Sequence, residues 1–115
     1  MKKTLLAASL LAMSVVAHAE VDRGAQLYNA YCTQCHGVQG NGKGINAAHM
    51  SVQPRDHTDT KEMSARTDDE LFKVIQQGGK SINTSVLMPM WGGNLSDDDI
   101  HALVGHLRRL CCQKN

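Results

Sequence analysis

Aromatic side chains are nearly missing from this chain of 115 residues, which has one Phe, one Trp and two Tyr. A small domain must bury apolar surface to offset the entropy of ordering its backbone, and Phe72, Trp91, Tyr28 and Tyr31 are a thin supply for that. The shortage points to a bound apolar group filling part of the interior. An excess of charge of one sign is missing too. Twelve Lys and Arg stand against eleven Asp and Glu, so the chain offers no basic face to a nucleic acid. No segment alternates apolar and polar residues long enough to suggest a strand. There is no internal repeat and no low-complexity segment.

A long uninterrupted apolar run is also lacking. The nearest approach, Leu5 to Ala17, is broken by Ser9 and Ser14 and falls short of the ~20 residues that span a bilayer. Lys2 and Lys3 precede it and Ala17-His18-Ala19 follows, the pattern of a secretory signal peptide cleaved after Ala19. Residues 1–19 are therefore expected to be removed and residues 20–115 to form one domain without an integral membrane anchor. Taking 19 residues from 115 leaves 96, and losing two lysines leaves ten basic against eleven acidic residues, a formal −1. Scattered Lys43, Lys61, Lys73 and Lys80 read as solvated surface, and the near balance of charge assigns no sign to a docking face.

What is present is helical periodicity, which predicts an all-α domain with three main helices. In the first, Gly24, Leu27, Tyr28, Tyr31, Cys32 and Cys35 recur at three- and four-residue spacing after Asp22, a capping residue. The second opens at Thr67 with Glu70 three residues on, a capping box, and stops at Gly78-Gly79, with Leu71, Val74 and Ile75 as its apolar stripe. The third opens at Ser96 followed by three aspartates, which favour the positive end of a helix dipole, and places Arg108 and Arg109 near the other end. Its stripe of Ile100, Leu103, Val104, Leu107 and Cys111 must pack against something, and the first helix is the expected partner. Between the first two helices a loop from Gly37 to about Arg66 is long enough to imply a function or a wrapped ligand.

The chemistry concentrates in Cys32-Thr33-Gln34-Cys35-His36. Three residues apart on a helical turn, the two thiols project to one side, where they can add to the two vinyl groups of a porphyrin while the next residue offers an imidazole to its iron. A zinc site would need a second ligand pair at suitable spacing, and the only other close pair, Cys111-Cys112, is adjacent. A dithiol redox site would need a βαβ setting that the helical pattern denies. One covalently attached haem c is thus expected on Cys32 and Cys35 with His36 as axial ligand. The opposite axial position can hold methionine, a second histidine, water or nothing. Met88 and Met90 lie in a segment turned by Pro89 and Gly92-Gly93, and His49 and His57 lie in the long loop.

With these elements the chain resembles a small class I cytochrome c of the bacterial periplasm. The resemblance rests on Gly24 and Tyr28 ahead of Cys32-Thr-Gln-Cys-His36-Gly37, on Met88-Pro89 with Trp91-Gly92, and on Leu95-Ser96-Asp-Asp-Asp-Ile100 opening a helix that ends in Leu107-Arg108. It covers nearly the whole expected mature chain. It implies a class I cytochrome c fold wrapped around one haem, with Met88 as distal ligand opposite His36 and Met90 as packing. It implies a soluble periplasmic electron carrier rather than an enzyme, shuttling single electrons between periplasmic or membrane-bound redox proteins.

Two departures from the family pattern stand out. His106 occupies a place where similar cytochromes usually have tyrosine, near a helix crossing that Gly24, and Gly105 with it, would permit. It is read as a packed or partly exposed structural group, with titration near neutral pH, which would make helix docking pH-sensitive, as the alternative. Cys111 continues the apolar stripe, while Cys112 offers a disulfide between two chains, a bridge between adjacent cysteines requiring unusual geometry. Two rival functions remain. One is a haem enzyme or gas sensor with an open distal site among Arg55, His49 and His57. The other is a cytochrome subunit bound to a larger oxidoreductase.

Overall fold

A computed structural model of the protein describes residues 22–113, so the expected signal peptide lies outside the described residues. Among them there is no strand, and the order of helices is α1 (Arg23–Tyr31), α2 (Thr33–His36), α3 (Thr60–Ser64), α4 (Asp68–Gln77) and α5 (Asp97–Cys111), with short 3-10 turns at Ala47–His49 and Gly79–Ile82. No helix among the described residues is long and apolar enough to cross a membrane.

The caps read from the sequence are made. The Asp22 carboxylate accepts from the Ala25 backbone N–H, Ser96 caps α5 through the Asp99 N–H, and Thr67 and Glu70 form both halves of the capping box at α4. Each such cap is worth ~1 kcal/mol. The expected α1–α5 crossing forms the centre of the fold. A Cβ on Gly24 would sit 2.1 Å from the Ala102 carbonyl oxygen, which explains the glycine. Gly105 is different: a Cβ there would meet only the tip of the Arg109 side chain, at 3.5 Å. Of these two glycines, Gly24 is the one the close crossing requires.

Leu27 and Tyr28 from α1, Leu71 and Ile75 from α4, and Ile100, Leu103, Val104 and Leu107 from α5 form one buried core with Met63 of α3. Burying each large side chain contributes about 1.5–3 kcal/mol. Two arginines lock the ends of the crossing, Arg109 on Asp22 and Arg23 on Asp99, although exposed pairs of this kind add little stability.

Two details differ from the periodicity. The first helix is interrupted at Cys32, so that Cys35 and His36 belong to a separate single turn, α2. The long loop is not featureless, because Asp59 caps α3 by accepting from the Glu62 N–H and Met63 anchors that turn in the core. Five residues carry too few apolar positions to register as a periodic stripe.

The structure also corrects the expected partner of Cys112. Its sulfur is bonded to Cys111 within the chain, so the proposed link between two chains loses its free thiol. The helix ends at Cys111, and the non-helical backbone of Cys112, at φ −131° and ψ −10°, turns its side chain back toward its neighbour.

Candidate functional site

The Cys-x-x-Cys-His segment is held by backbone bonds to the loop that follows it. The N–H groups of Gly42, Gly44 and Asn46 donate to the carbonyls of His36, Cys35 and Gln34 at 2.8, 3.0 and 2.9 Å. These are the carbonyls a one-turn helix leaves unpaired at its end. The approach is close enough that a Cβ on Gly44 would lie 2.3 Å from the Gln34 oxygen. This spacing accounts for the glycine-rich run directly after the motif.

His36 is fixed in orientation and tautomer. Its Nδ1 lies 3.0 Å from the Arg55 backbone carbonyl, an oxygen that can only accept, so Nδ1 carries the proton and Nε2 keeps its lone pair. Burial pushes the His36 pKa down, against the raising effect of the bond to Arg55. The neutral imidazole that can bind a metal is therefore the favoured form. His57 stacks on the same ring, with centroids 4.1 Å apart and planes 21° from parallel. Its Nδ1 sits 2.9 Å from the Tyr28 hydroxyl, and burial drives its pKa well below the ordinary value. The sequence marked His57 as a loop residue, yet it is a wall behind His36, fixed from two sides.

Cys32, Cys35, His36 and Met88 all line one cavity of about 530 Å³. Burial, and then the neighbouring Cys35, push the Cys32 thiol up to about 12. A reactive dithiol or a zinc-binding thiolate requires the opposite shift, and among the described residues no group of three or more His, Cys, Asp and Glu side chains is arranged to hold a metal ion. Both alternatives to haem at the cysteine pair thus lose support.

Met88 is half-buried, whereas Met90 is 69% exposed. The segment carrying Met88 is clamped to the end of α4. The Gly79 N–H donates to the Met88 carbonyl at 3.0 Å, and the N–H groups of Trp91 and Gly92 donate to Ile75 and Gln76, each at 3.1 Å. Gly78, at φ 81°, makes the turn that permits this, and a Cβ there would be 2.9 Å from the Met88 oxygen. His49 is exposed and does not line the cavity.

The remaining walls suit a flat apolar group, with the exposed acids Asp56, Asp59, Glu62 and Glu70 also on the lining. Leu71, Val74, Ile75, Leu103, Leu107 and Trp91 supply apolar surface, and Arg66 also reaches the cavity. The Nε of Arg66 is buried without a hydrogen-bond partner, a costly condition that an anionic ligand would relieve. Nothing in the sequence singled out Arg66. Its placement depends on Arg108, whose guanidinium donates to the Met63 and Arg66 carbonyls and pairs with Asp68. Arg55, the other arginine at the cavity, is already paired with Glu62.

Comparison with known proteins gives a consistent picture. Residues 19–107 match the family model described as cytochrome C oxidase, cbb3-type, subunit III. No curated protein matches. Among solved structures, the KustC0563 c-type cytochrome is similar with 25% identity and a TM-score of 0.63, over 76% of this chain and 96% of that one. A chain of the Kuenenia stuttgartiensis reducing HAO-like protein complex Kustc0457/Kustc0458 is similar in fold with 23% identity and a TM-score of 0.63, over 79% of this chain and 42% of that one.

Proposed function

The chain belongs to the family of cytochrome C oxidase, cbb3-type, subunit III, a c-type cytochrome domain that binds haem c and transfers electrons, and from that premise we propose that it is a one-haem electron carrier with histidine and methionine as axial ligands. Cys32 and Cys35 are assigned to the thioether bonds, His36 Nε2 to the proximal position and the Met88 sulfur to the distal one. The observation that carries this reading is the convergence of those four side chains on one cavity, with His36 already held as the neutral tautomer whose free nitrogen is Nε2.

Bound haem supplies the one-electron couple. The chain contributes orientation and exclusion. The Arg55 carbonyl and the His57 ring hold the His36 plane, and a rigid ligand lowers the rearrangement that accompanies each electron. The clamped backbone at Gly79, Trp91 and Gly92 fixes the segment bearing Met88. A thioether favours ferrous iron, and low-dielectric walls raise the potential relative to two histidines. Arg66 is assigned to a haem propionate, which would satisfy its orphaned Nε. His57 is disfavoured as distal ligand, because its ring is committed to His36 and Tyr28.

Export, with loss of residues 1–19, would place this carrier in the periplasm, where it would move electrons between soluble or membrane-bound redox proteins. A second reading keeps the same site in a cytochrome subunit of a larger oxidoreductase. It is favoured by the family's description as an oxidase subunit and by the similar fold found in a multi-protein complex. Co-purification of partners at fixed stoichiometry would select the subunit reading, and a free monomer would select the carrier.

The site itself is tested by absorption spectra of protein matured with haem, taken oxidised, reduced, and reduced with carbon monoxide. A low-spin c-type spectrum with the far-red ferric band of methionine ligation, unaltered by carbon monoxide, is expected. In Met88→Ala the far-red band should vanish and carbon monoxide should bind, while Met90→Ala should retain the parent spectrum. A parent protein that is high-spin and reactive toward carbon monoxide would mean an open distal site, and the reading as a saturated carrier would be withdrawn.

A further inference from the structure

At the C-terminal end of α5, the Cys111–Cys112 bond presents two sulfurs in unlike surroundings. Cys111 is fully buried in the core, at 0% exposure, whereas Cys112 is exposed as the C-cap residue. Around them α3 and α5 meet. The Thr60 hydroxyl donates to the Cys111 carbonyl at 2.6 Å, and Ser64 Oγ lies 3.6 Å from Cys112 Sγ. The electron-transfer reading uses neither cysteine.

We propose that Cys112 is a site of reversible modification by thiols, formed by exchange with the Cys111–Cys112 disulfide. Thiol–disulfide exchange depends on which sulfur an incoming thiolate can reach and on how the departing sulfur is accommodated. Cys111 is fully buried and Cys112 is the exposed residue of the pair. A thiolate attacking it forms a new S–S bond to Cys112 and breaks the bond to Cys111, whose sulfur takes the electron pair and then a proton. The sum is one thiol consumed, one mixed disulfide and one cysteine thiol produced, with no net oxidation. Cys111 Sγ lies 3.8 Å from the Arg108 carbonyl, so the new S–H has an acceptor in place. Apolar burial and the negative end of the helix dipole both disfavour a Cys111 thiolate. The same factors slow both the departure of Cys111 and the return attack that would expel the adduct, so exchange is slow in each direction and the mixed disulfide, once formed, persists. A second thiol attacking the adduct would release a symmetrical disulfide and leave both cysteines reduced.

The product places a new group on Cys112, beside Ser64 of α3. That helix also carries Glu62, which lines the haem cavity. Modification would thus occur at the junction through which α3 is held against α5.

The test uses haem-loaded, full-length protein exposed to reduced glutathione, quenched with acid, treated with N-ethylmaleimide under denaturing conditions and mapped by peptide mass spectrometry. Glutathione on Cys112 and maleimide on Cys111 are expected, with at least about a tenfold preference for Cys112 in folded protein that disappears when the exchange is run in urea. Because the comparison uses the wild-type chain in two states, it does not depend on a variant folding. Glutathione distributed equally in the folded protein, or found mainly on Cys111, would overturn the proposal. So would resistance of the folded protein to exchange under conditions where the denatured chain reacts, or maleimide on both residues before any glutathione is added. Maleimide on Cys32 or Cys35 would count against haem attachment there and leave the Cys112 result separately readable.

Discussion

Producing the chain without haem, by expression where the attachment machinery is absent, removes the group that fills the cavity between α4, α5 and the Met88 segment. The magnitude follows from the cavity. At ~24 cal/mol per Å³ of unfilled apolar space, 530 Å³ treated as closed and dry sets an upper bound of about 13 kcal/mol. Water can wet the mouth near Glu62 and Glu70, which lowers the cost. Even half of it, about 6 kcal/mol, rivals the ~5–15 kcal/mol that holds a whole small domain together. The haem-free chain is therefore expected to keep part of its helix signal, bind a hydrophobic dye and unfold without a cooperative transition, as a partly collapsed state does. Urea titrations of both forms, followed by far-UV circular dichroism, provide the assay. A haem-free chain that unfolds cooperatively with stability within about 2 kcal/mol of the loaded protein would refute the claim that the cofactor completes this core.

The two glycines of α1 and α5 should respond in opposite directions. Gly24→Ala drives a methyl into the Ala102 carbonyl and is expected to cost about 3 kcal/mol in thermal or urea unfolding, whereas Gly105→Ala makes only an ordinary contact with the flexible tip of Arg109 and should stabilise by roughly 0.5–1 kcal/mol through helix propensity. Arg108→Met abandons two buried-side carbonyls and should cost about 2–3 kcal/mol, while Asp68→Asn, on the exposed side of the same guanidinium, should leave the unfolding curve unchanged. His106, packed on Tyr28 and facing Asp22 and Arg109, has its pKa lowered first by burial and then by Arg109, against the raising effect of Asp22. A base with a depressed folded pKa binds fewer protons in the native than in the unfolded state below about pH 6.5. Stability should accordingly fall as pH drops from 7 toward 5, and His106→Phe should make that fall shallower in urea midpoints measured across the range.

What was legible in the sequence was local. The haem motif, the Thr67–Glu70 box, the Ser96 cap and the stripe of α5 each lie within a few turns of chain, where residue spacing translates directly into geometry. The expected three-helix frame was recovered for the same reason. What was missed depended on contacts between distant segments. The Arg55 carbonyl that orients His36, the Arg66 nitrogen left unpaired by the way Arg108 holds its backbone, and α3 with its single buried Met63 carry no periodic signature. The pairing of Cys111 with Cys112 depended on the backbone of one residue beyond the helix end, which adjacency in the sequence alone does not reveal.

Tyr28 joins the two classes of information. Its place in the α1 stripe marked it as core, and it is indeed almost fully buried. Its ring also meets His106 at 4.9 Å across the helix crossing, while its hydroxyl meets His57 at 2.9 Å, and His57 lies against His36. One tyrosine therefore couples the crossing of α1 and α5 to the imidazole assigned to iron. That chain of contacts gives His106 a reason to be packed there although it approaches none of the haem-binding side chains directly. Replacing Tyr28 by Phe would preserve most of the packing and remove the bond to His57. It is thus a cleaner probe of this link than any change at His57, which would also strip the support from His36.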